Sequence, residues 1–575
     1  MDVKVRKTVK VAMRDGVELG TDVYQADDDP HPVVLLRSPY DKDMSVTTID
    51  ALKFLRAGYI LVAQDTRGRF TSGGTFNPFF DERNDGEDTL RWIAERSWCN
   101  GDIAMVGPSY SAALQWMVAA GDAPALKAIA PNITASSYYE GWTYQGGAFE
   151  LGFMLTWTLL HLSLPAAARA IEAGEASPEA AAELIKTYDD IWGWFKHTSL
   201  GDIPVVKQFA PYFADWLEHA TDDEFWRQTA PRERYEDVTV PSLNVGGWYD
   251  CFLAGTLENY QGIKRRGGSD AARKPRLVIG PWAHGVSLGE FPSGSFGLIA
   301  NAMVADVTAQ TIRFFDRHLR GIENGLDDEP PVRIFVMGAN QWRNEQDWPL
   351  PDTQYTAYYL DSAGHANSNT GDGQLVLQSP ADEASDVYLY DPHNPVASIG
   401  GQTFLPGLVL GTNCGPRDRR EIEGRSDVLC FSSPPLAADT EVTGPISLVL
   451  HASSSAVDTD FTGALVDVHP DGRAVILTEG ILRARYRNST REAELLERGR
   501  TYELTIDLWA TSNVFKAGHQ IRLEVSSSNF PRFDRNSNTG GIIAKETEAD
   551  FIQAVNRIFH GGSHPSRLVL PIIAR

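Results

Sequence analysis

The sequence predicts an α/β domain built on a parallel sheet, interrupted by a helical insertion and followed by an all-β sandwich. Three observations carry this. Short, continuously apolar runs alternate with helix-sized segments over the first 135 residues and again after residue 240, the pattern of a sheet covered on both faces. Between about 140 and 235 the strand signal vanishes and helical spacing takes over. After about residue 345 short strands and turn residues alternate closely. A chain of 575 residues is also too long for one ordinary core, so two to four domains are expected.

In chain order, 3–24 reads as a hairpin with Asp15-Gly16 as its turn. PVVLLR (32–37), YILVAQD (59–65), IAMVG (103–107) and LKAIAP (126–131) are strand candidates, with helices expected over 45–57, 85–96 and 110–120. SPEAAAELIKTYDDIWGWF (177–195) is alanine-rich, has helical spacing and starts at a Ser-Pro signal. Strands return with PSLNVGGW (241–248) and RLVIGPW (276–282), and a helix is expected over 304–321. A helical block inside an α/β sheet is most simply a cap inserted over the strand carboxyl ends. The runs at 353–361, 386–392, 445–455, 462–480, 501–510 and 520–528 then predict a jelly-roll-like β-sandwich. The expected division is 1–140 with 236–345 as the catalytic domain, 141–235 as the cap and 346–575 as the sandwich. No repeat of 20–50 residues is visible.

Composition narrows the function. Hydrophobic residues make up 42% and charged residues 22%, which is globular. The net charge is −24 with no Lys/Arg-rich run, which argues against nucleic acid or an anionic membrane as partner. Cys99, Cys251, Cys414 and Cys430 are far apart, without a C-x-x-C pair or an accompanying His cluster. This argues against a zinc site or a disulfide framework and for a reducing compartment. The amino terminus has no apolar core of a signal peptide. The apolar stretch 152–168 contains His161, Ser163 and Pro165 and reads as a buried helix and its turn, not a membrane span. A cytoplasmic enzyme acting on a small molecule is expected.

Two serines compete as nucleophile. GVSLG (285–289) satisfies G-x-S-x-G, but its strand ends at Gly280 and the following EFPSGSFG cannot start a helix. VGPSYSAALQW (106–116) lacks the last glycine, with Ser111 in its place. Yet the strand IAMVG runs straight into Ser109, and a helix-forming run follows, stopped by Gly121 at C′. A strand, a sharp turn and a helix are what exposes a nucleophilic serine, and such an elbow needs small neighbours. Ser109 is therefore the candidate, against the alternative of a serine N-cap on a buried helix. A base and an orienting acid should follow in the order Ser, Asp, His. Asp250 stands just past one later strand and His284 just past the next. Asp65 is a rival acid, but it precedes the serine.

These residues resemble the α/β-hydrolase superfamily that holds bacterial cocaine esterases, X-Pro dipeptidyl-peptidases and α-amino-acid ester hydrolases, and the cocaine esterases most closely. The likeness runs nearly end to end, through SPYDK (38–42), QDTRGRF (64–70), WCNGDIAMVGPSY (98–110), GGWYDCF (246–252), GPWAH (280–284), FFDRHLRG (314–321) and SSSNFPRFDRNSNTGG (526–541). It implies an α/β-hydrolase fold with a helical cap and a C-terminal sandwich. It also implies a triad of Ser109, Asp250 and His284, and an oxyanion hole made by the Tyr110 N–H and the Tyr40 hydroxyl. The acyl pocket is implied to be lined by Trp142, Trp157, Phe252, Phe404 and Leu405. Three departures bear on substrate: the segment from Tyr40 to Gly58 is short, Ser111 and Ala112 replace leucine and glycine beside the elbow, and Cys251 replaces glycine after the aspartate.

The expected function is a serine carboxylesterase acting on esters with a hydrophobic or aromatic acyl group, such as benzoyl, through an acyl-enzyme, with no metal or cofactor. An X-Pro dipeptidyl-peptidase or α-amino-acid ester hydrolase is the alternative; it would need a carboxylate cluster beside the serine to hold a substrate ammonium. A carbohydrate-binding role for the sandwich domain is a third reading, disfavoured by an ordered triad in the same chain. A homodimer is a family-based expectation.

Overall fold

A computed structural model describes residues 3–406 and 413–575. Its first sheet has ten strands: β1 (Lys4–Ala12), β2 (Glu18–Gln25), β3 (His31–Ser38), β4 (Ile60–Asp65), β5 (Cys99–Pro108), β6 (Leu126–Asn132), β7 (Leu243–Tyr249), β8 (Arg276–Ala283), β9 (Val332–Val336) and β10 (Gln341–Glu345). Their spatial order is β1-β2-β4-β3-β5-β6-β7-β8-β9-β10. β1, β2 and β4 pair antiparallel, as do β9 and β10; the remaining neighbours are parallel. The apolar runs are continuous because both faces are covered. In β3, Val33 and Leu35 enter one core while Val34 and Leu36 enter the other, as the two-residue strand period requires. Every residue of β4 and β7 is buried.

Most expected elements of this domain are present, with local differences. The helix expected over 45–57 is two short helices, Lys42–Thr48 and Ala51–Arg56, separated by Asp50 at φ 52°. Gly121 follows the C-cap Ala120 of helix Tyr110–Ala119 but is not left-handed. Space is short there instead: a Cβ would lie 2.2 Å from Glu87 Oε1, so that side chain would have to move.

The stretch read as a helix and its turn is one uninterrupted rod. It is α-helical over Leu151–Trp157, π-helical over Thr158–Ser163 and α-helical again over Leu164–Glu172. Pro165 explains the π-turn, since it has no N–H to offer the carbonyl four residues back, that of His161. The freed carbonyl accepts instead from Arg69 Nη2 at 2.7 Å, and Leu162 O accepts from Arg69 Nη1 at 2.9 Å. The rod is long and apolar enough to cross a membrane, but 67% of its most apolar window is buried in the protein. Its apolar face joins Trp142, Trp216 and Trp226 in the core of the inserted helices.

Beyond β10, eleven strands between Thr353 and Ile573 form a second sheet path. It folds back on itself. Strand Asp460–Val468 pairs with Ala474–Arg483 and Gln520–Ser526, while Thr440–Ser454 pairs with Tyr502–Phe515. The two groups meet face to face, because a Cβ on Gly463 would touch Leu448 and Leu508. This β-unit also reaches the inserted helices. A Cβ on Gly152 would lie 2.2 Å from Leu405 Cδ2 and 2.9 Å from Pro531 O, so a glycine in the first helical turn lets the sandwich loops close on it.

Candidate active site

β5 ends in a sharp turn whose tip is Ser109, at φ 58° and ψ −123°. This left-handed region is costly for a residue with a side chain, and it persists because the flanks are locked. The Ser109 N–H donates to Asn132 O at 2.9 Å, and the Ser109 carbonyl accepts from Ala112 and Ala113 in helix Tyr110–Ala119. Gly107, at φ +134°, passes so close that a Cβ would lie 2.6 Å from Ser111 Cβ and 2.7 Å from Leu36 Cδ1. The smallness rule therefore falls hardest on 107, and Ser111 is tolerated because 107 yields the space. Gly107→Ala is expected to cost about 2–3 kcal/mol in stability, seen as a lower melting temperature. Ser287, in the rival GVSLG, lies exposed in irregular chain between Val286 and Leu288.

Asp250 follows β7 and is fully buried; His284 follows β8 and is 7% exposed. Asp250 Oδ2 stands 2.9 Å from His284 Nδ1, and Oδ1 accepts from the Phe252 N–H at 2.7 Å. An ionised carboxylate only accepts, so Nδ1 carries the proton and Nε2 keeps its lone pair. Phe252 and Phe404 hold the imidazole edge-on, at centroid distances of 5.0 and 5.3 Å. Asp250, Cys251 and His284 bring possible metal-ligand atoms within 4.8 Å of one another. The Asp250 oxygens are, however, engaged in these hydrogen bonds, and burial pushes the Cys251 thiol well above its ordinary range.

Asp65 is structural. Its carboxylate takes the N–H groups of Lys42 and Thr71 and the Thr71 hydroxyl, which pins the loop beside Tyr40.

The Tyr40 hydroxyl accepts from Trp157 Nε1 at 2.9 Å. Burial raises the phenol far above its ordinary value, and hydrogen bonding with Trp157 and Ser109 offsets only part of this. It therefore stays protonated, and because the indole occupies its acceptor side, its own proton is directed elsewhere. Arg69 ties this loop to the helical rod: its Nε donates to Pro39 O at 2.9 Å while its other nitrogens hold the His161 and Leu162 carbonyls. Tyr110 is anchored at its far end, its hydroxyl accepting from the Phe79 N–H at 2.8 Å and donating to Glu82 Oε1 at 3.1 Å. Its backbone N–H, at the first helical position, has no acceptor one turn back inside the helix.

A cavity of about 520 Å³ opens in front of these groups. Tyr40, Ser109, His284, Phe153, Trp157, Phe404 and Leu405 line it. Trp142 and Phe252 do not. They stack on each other, 4.2 Å apart and 10° from parallel, behind Phe153 and His284. Their expected place in the lining is thus corrected to a supporting layer, since each spends its face on the other. Phe153, Met44, Tyr188 and His161 are lining residues that sequence reasoning missed. Burial, with His284 and Arg69 nearby, pushes the His161 imidazole down to about 4, so it is a neutral polar group.

A family profile for X-Pro dipeptidyl-peptidase matches residues 15–286, and one for the X-Pro dipeptidyl-peptidase C-terminal non-catalytic domain matches 324–569. The chain is 44% identical to the cocaine esterase of Rhodococcus sp. (strain MB1 Bresler), over 99% of both chains. Among solved structures, an α-amino-acid ester hydrolase superposes with a TM-score of 0.82 at 25% identity, covering 99% of this chain and 97% of that one. An aminopeptidase from a marine sediment Thaumarchaeota archaeon superposes with a TM-score of 0.81 at 25% identity, covering 100% and 97%. With an α/β-hydrolase sheet, its helical insertion and the C-terminal β-unit all in place, the chain belongs to the X-Pro dipeptidyl-peptidase family of serine hydrolases, the family that also contains cocaine esterase.

Proposed function

We propose that the chain is a serine carboxylesterase for esters with a hydrophobic or aromatic acyl group. His284 Nε2 takes the Ser109 proton as the hydroxyl attacks the ester carbonyl, and Asp250 stabilises the imidazolium. The Tyr110 N–H and the Tyr40 hydroxyl bind the developing oxyanion. The alcohol leaves with the proton held by His284, and water activated by the same nitrogen releases the acid from Ser109.

One observation carries the choice of substrate. Among the described residues, no Asp or Glu lines the cavity, while Phe153, Trp157, Phe404 and Leu405 do. A site built for a substrate ammonium must offer it a carboxylate, because an unpaired cation in such a place is costly. The 44% identity to a protein named as an esterase supports the same choice over the peptidase reading.

A panel of aryl esters, α-amino-acid esters and dipeptidyl-proline anilides tests it, with Ser109→Ala as control. Benzoyl-type esters should give the highest kcat/KM; preference for either amine-bearing class would reject the reading. Tyr40→Phe should lower kcat by roughly 10²–10³-fold with little change in KM, the usual effect of losing one oxyanion donor. Steady-state kinetics on a benzoyl ester reads this directly, and a change confined to KM would remove Tyr40 from the oxyanion hole.

A further inference from the structure

Outside the cavity lining, two strands of the sandwich end in a cluster that none of the candidate catalytic residues belongs to. Strands Asp460–Val468 and Gln520–Ser526 run antiparallel, with Asp467 opposite Ile521 and Val468 opposite Gln520. Continuing that register outward sets His469 opposite His519, and their rings lie 4.4 Å apart. Asp467 is on the strand and His469 is the first residue past its end, two positions on, where continued extension keeps both side chains on one face. A pair at i and i+2 plus a third residue across the ladder is a three-point chelate on a rigid sheet.

The atoms converge. Asp467 Oδ1 stands 2.8 Å from His519 Nδ1, and Oδ2 stands 4.0 Å from His469 Nε2. One ligand atom from each residue falls within 4.8 Å of the other two. Around a tetrahedral zinc, with bonds of about 2.0–2.1 Å, neighbouring ligands stand roughly 3.3 Å apart. The observed spacings bracket that value, and rotamer adjustments of under an ångström reach it. The carboxylate is almost wholly buried, whereas the two imidazoles keep 25% and 13% of their side-chain surface exposed. An ion can enter from solvent and retain water in the remaining position.

We propose that Asp467, His469 and His519 form a site for one divalent transition-metal ion of the zinc class, cross-linking the ends of these two strands. Arg473 opposes occupation, with Nη2 3.4 Å from His469 Nδ1. When Nε2 binds metal, Nδ1 must carry the proton, so Arg473 has to withdraw. It is half exposed and already pairs with Asp471, so withdrawal is open to it.

The test is titration of the full-length, chelator-stripped protein with zinc chloride by calorimetry, alongside His469→Ala, His519→Ala and Arg473→Gln. The parent should bind one equivalent with micromolar or tighter affinity. Either histidine variant should bind about tenfold or more weakly, and Arg473→Gln should bind more tightly. Zinc should raise the melting temperature of the parent but not of the histidine variants, whose metal-free melts report whether they fold. Absence of saturable binding overturns the site, as does parent-like zinc affinity and stoichiometry in either folded histidine variant.

Discussion

Ser109→Ala is expected to lower kcat on a benzoyl ester by roughly 10⁶-fold, leaving the residual rate set by the oxyanion donors and substrate binding. The size follows from the elbow. Ser109 has a strained backbone, at φ 58°, hydrogen-bonds with Tyr40, and lines the cavity that Tyr40 and His284 also line. On the proposed mechanism helix Tyr110–Ala119 offers the oxyanion N–H whether or not the hydroxyl is there, so alanine would remove the nucleophile and little else. The melting temperature should stay the same or rise slightly, because the strained serine exists for chemistry and not for packing. A quenched time course with enzyme at micromolar concentration separates the residual rate from background. Loss of less than about 100-fold would mean another nucleophile.

Asp250→Asn is expected to lower kcat by about 10⁴-fold while the protein still folds. Asp250 Oδ1 accepts from the Phe252 N–H, which fixes that position as an acceptor. In the asparagine variant the carbonyl oxygen must stay there, so the amide NH₂ faces His284 Nδ1. The imidazole then accepts at Nδ1 and carries its proton on Nε2, where it cannot take a proton from Ser109. Activity should recover with rising pH, as Ser109 ionises without the base. The pH dependence of kcat/KM checks this. A variant within tenfold of the parent at neutral pH would contradict the assigned acid.

The elbow was legible because its signals are local: an apolar strand, a turn and a helix within twenty residues. GVSLG failed on the same local evidence, and its serine lies in loop. The pairing of Asp250 with His284 could be anticipated from their places after successive parallel strands. What could not be read depends on contacts between distant residues. Arg69 binds the carbonyls of Pro39, His161 and Leu162, and only Pro165 hinted that one of these would be free. Trp142 and Phe252 sit in motifs typical of the pocket, but whether a ring faces the cavity or a second ring is a question of packing, which sequence does not carry.

The sandwich shows the same limit. Strand Leu429–Ser432 is too short to stand out, and Arg567–Ile573 contains Pro571, a mark against a central strand. It is nonetheless paired on both sides. The proline fits where the ladder to Thr440–Ser454 breaks register between Val442 and Ser447, opposite Gly444, where a Cβ would lie 2.8 Å from Pro571 Cβ. The histidines at 469 and 519 were invisible as a cluster for a related reason: fifty residues separate them, and only the strand register sets them opposite each other.

The most direct measurement is active-site labelling with a fluorophosphonate, followed by peptide mass mapping. One adduct per chain is expected, on Ser109, with ester hydrolysis lost in proportion to labelling and no adduct in Ser109→Ala. An adduct on Ser287 or on any other serine, or full hydrolysis by the labelled protein, would contradict it.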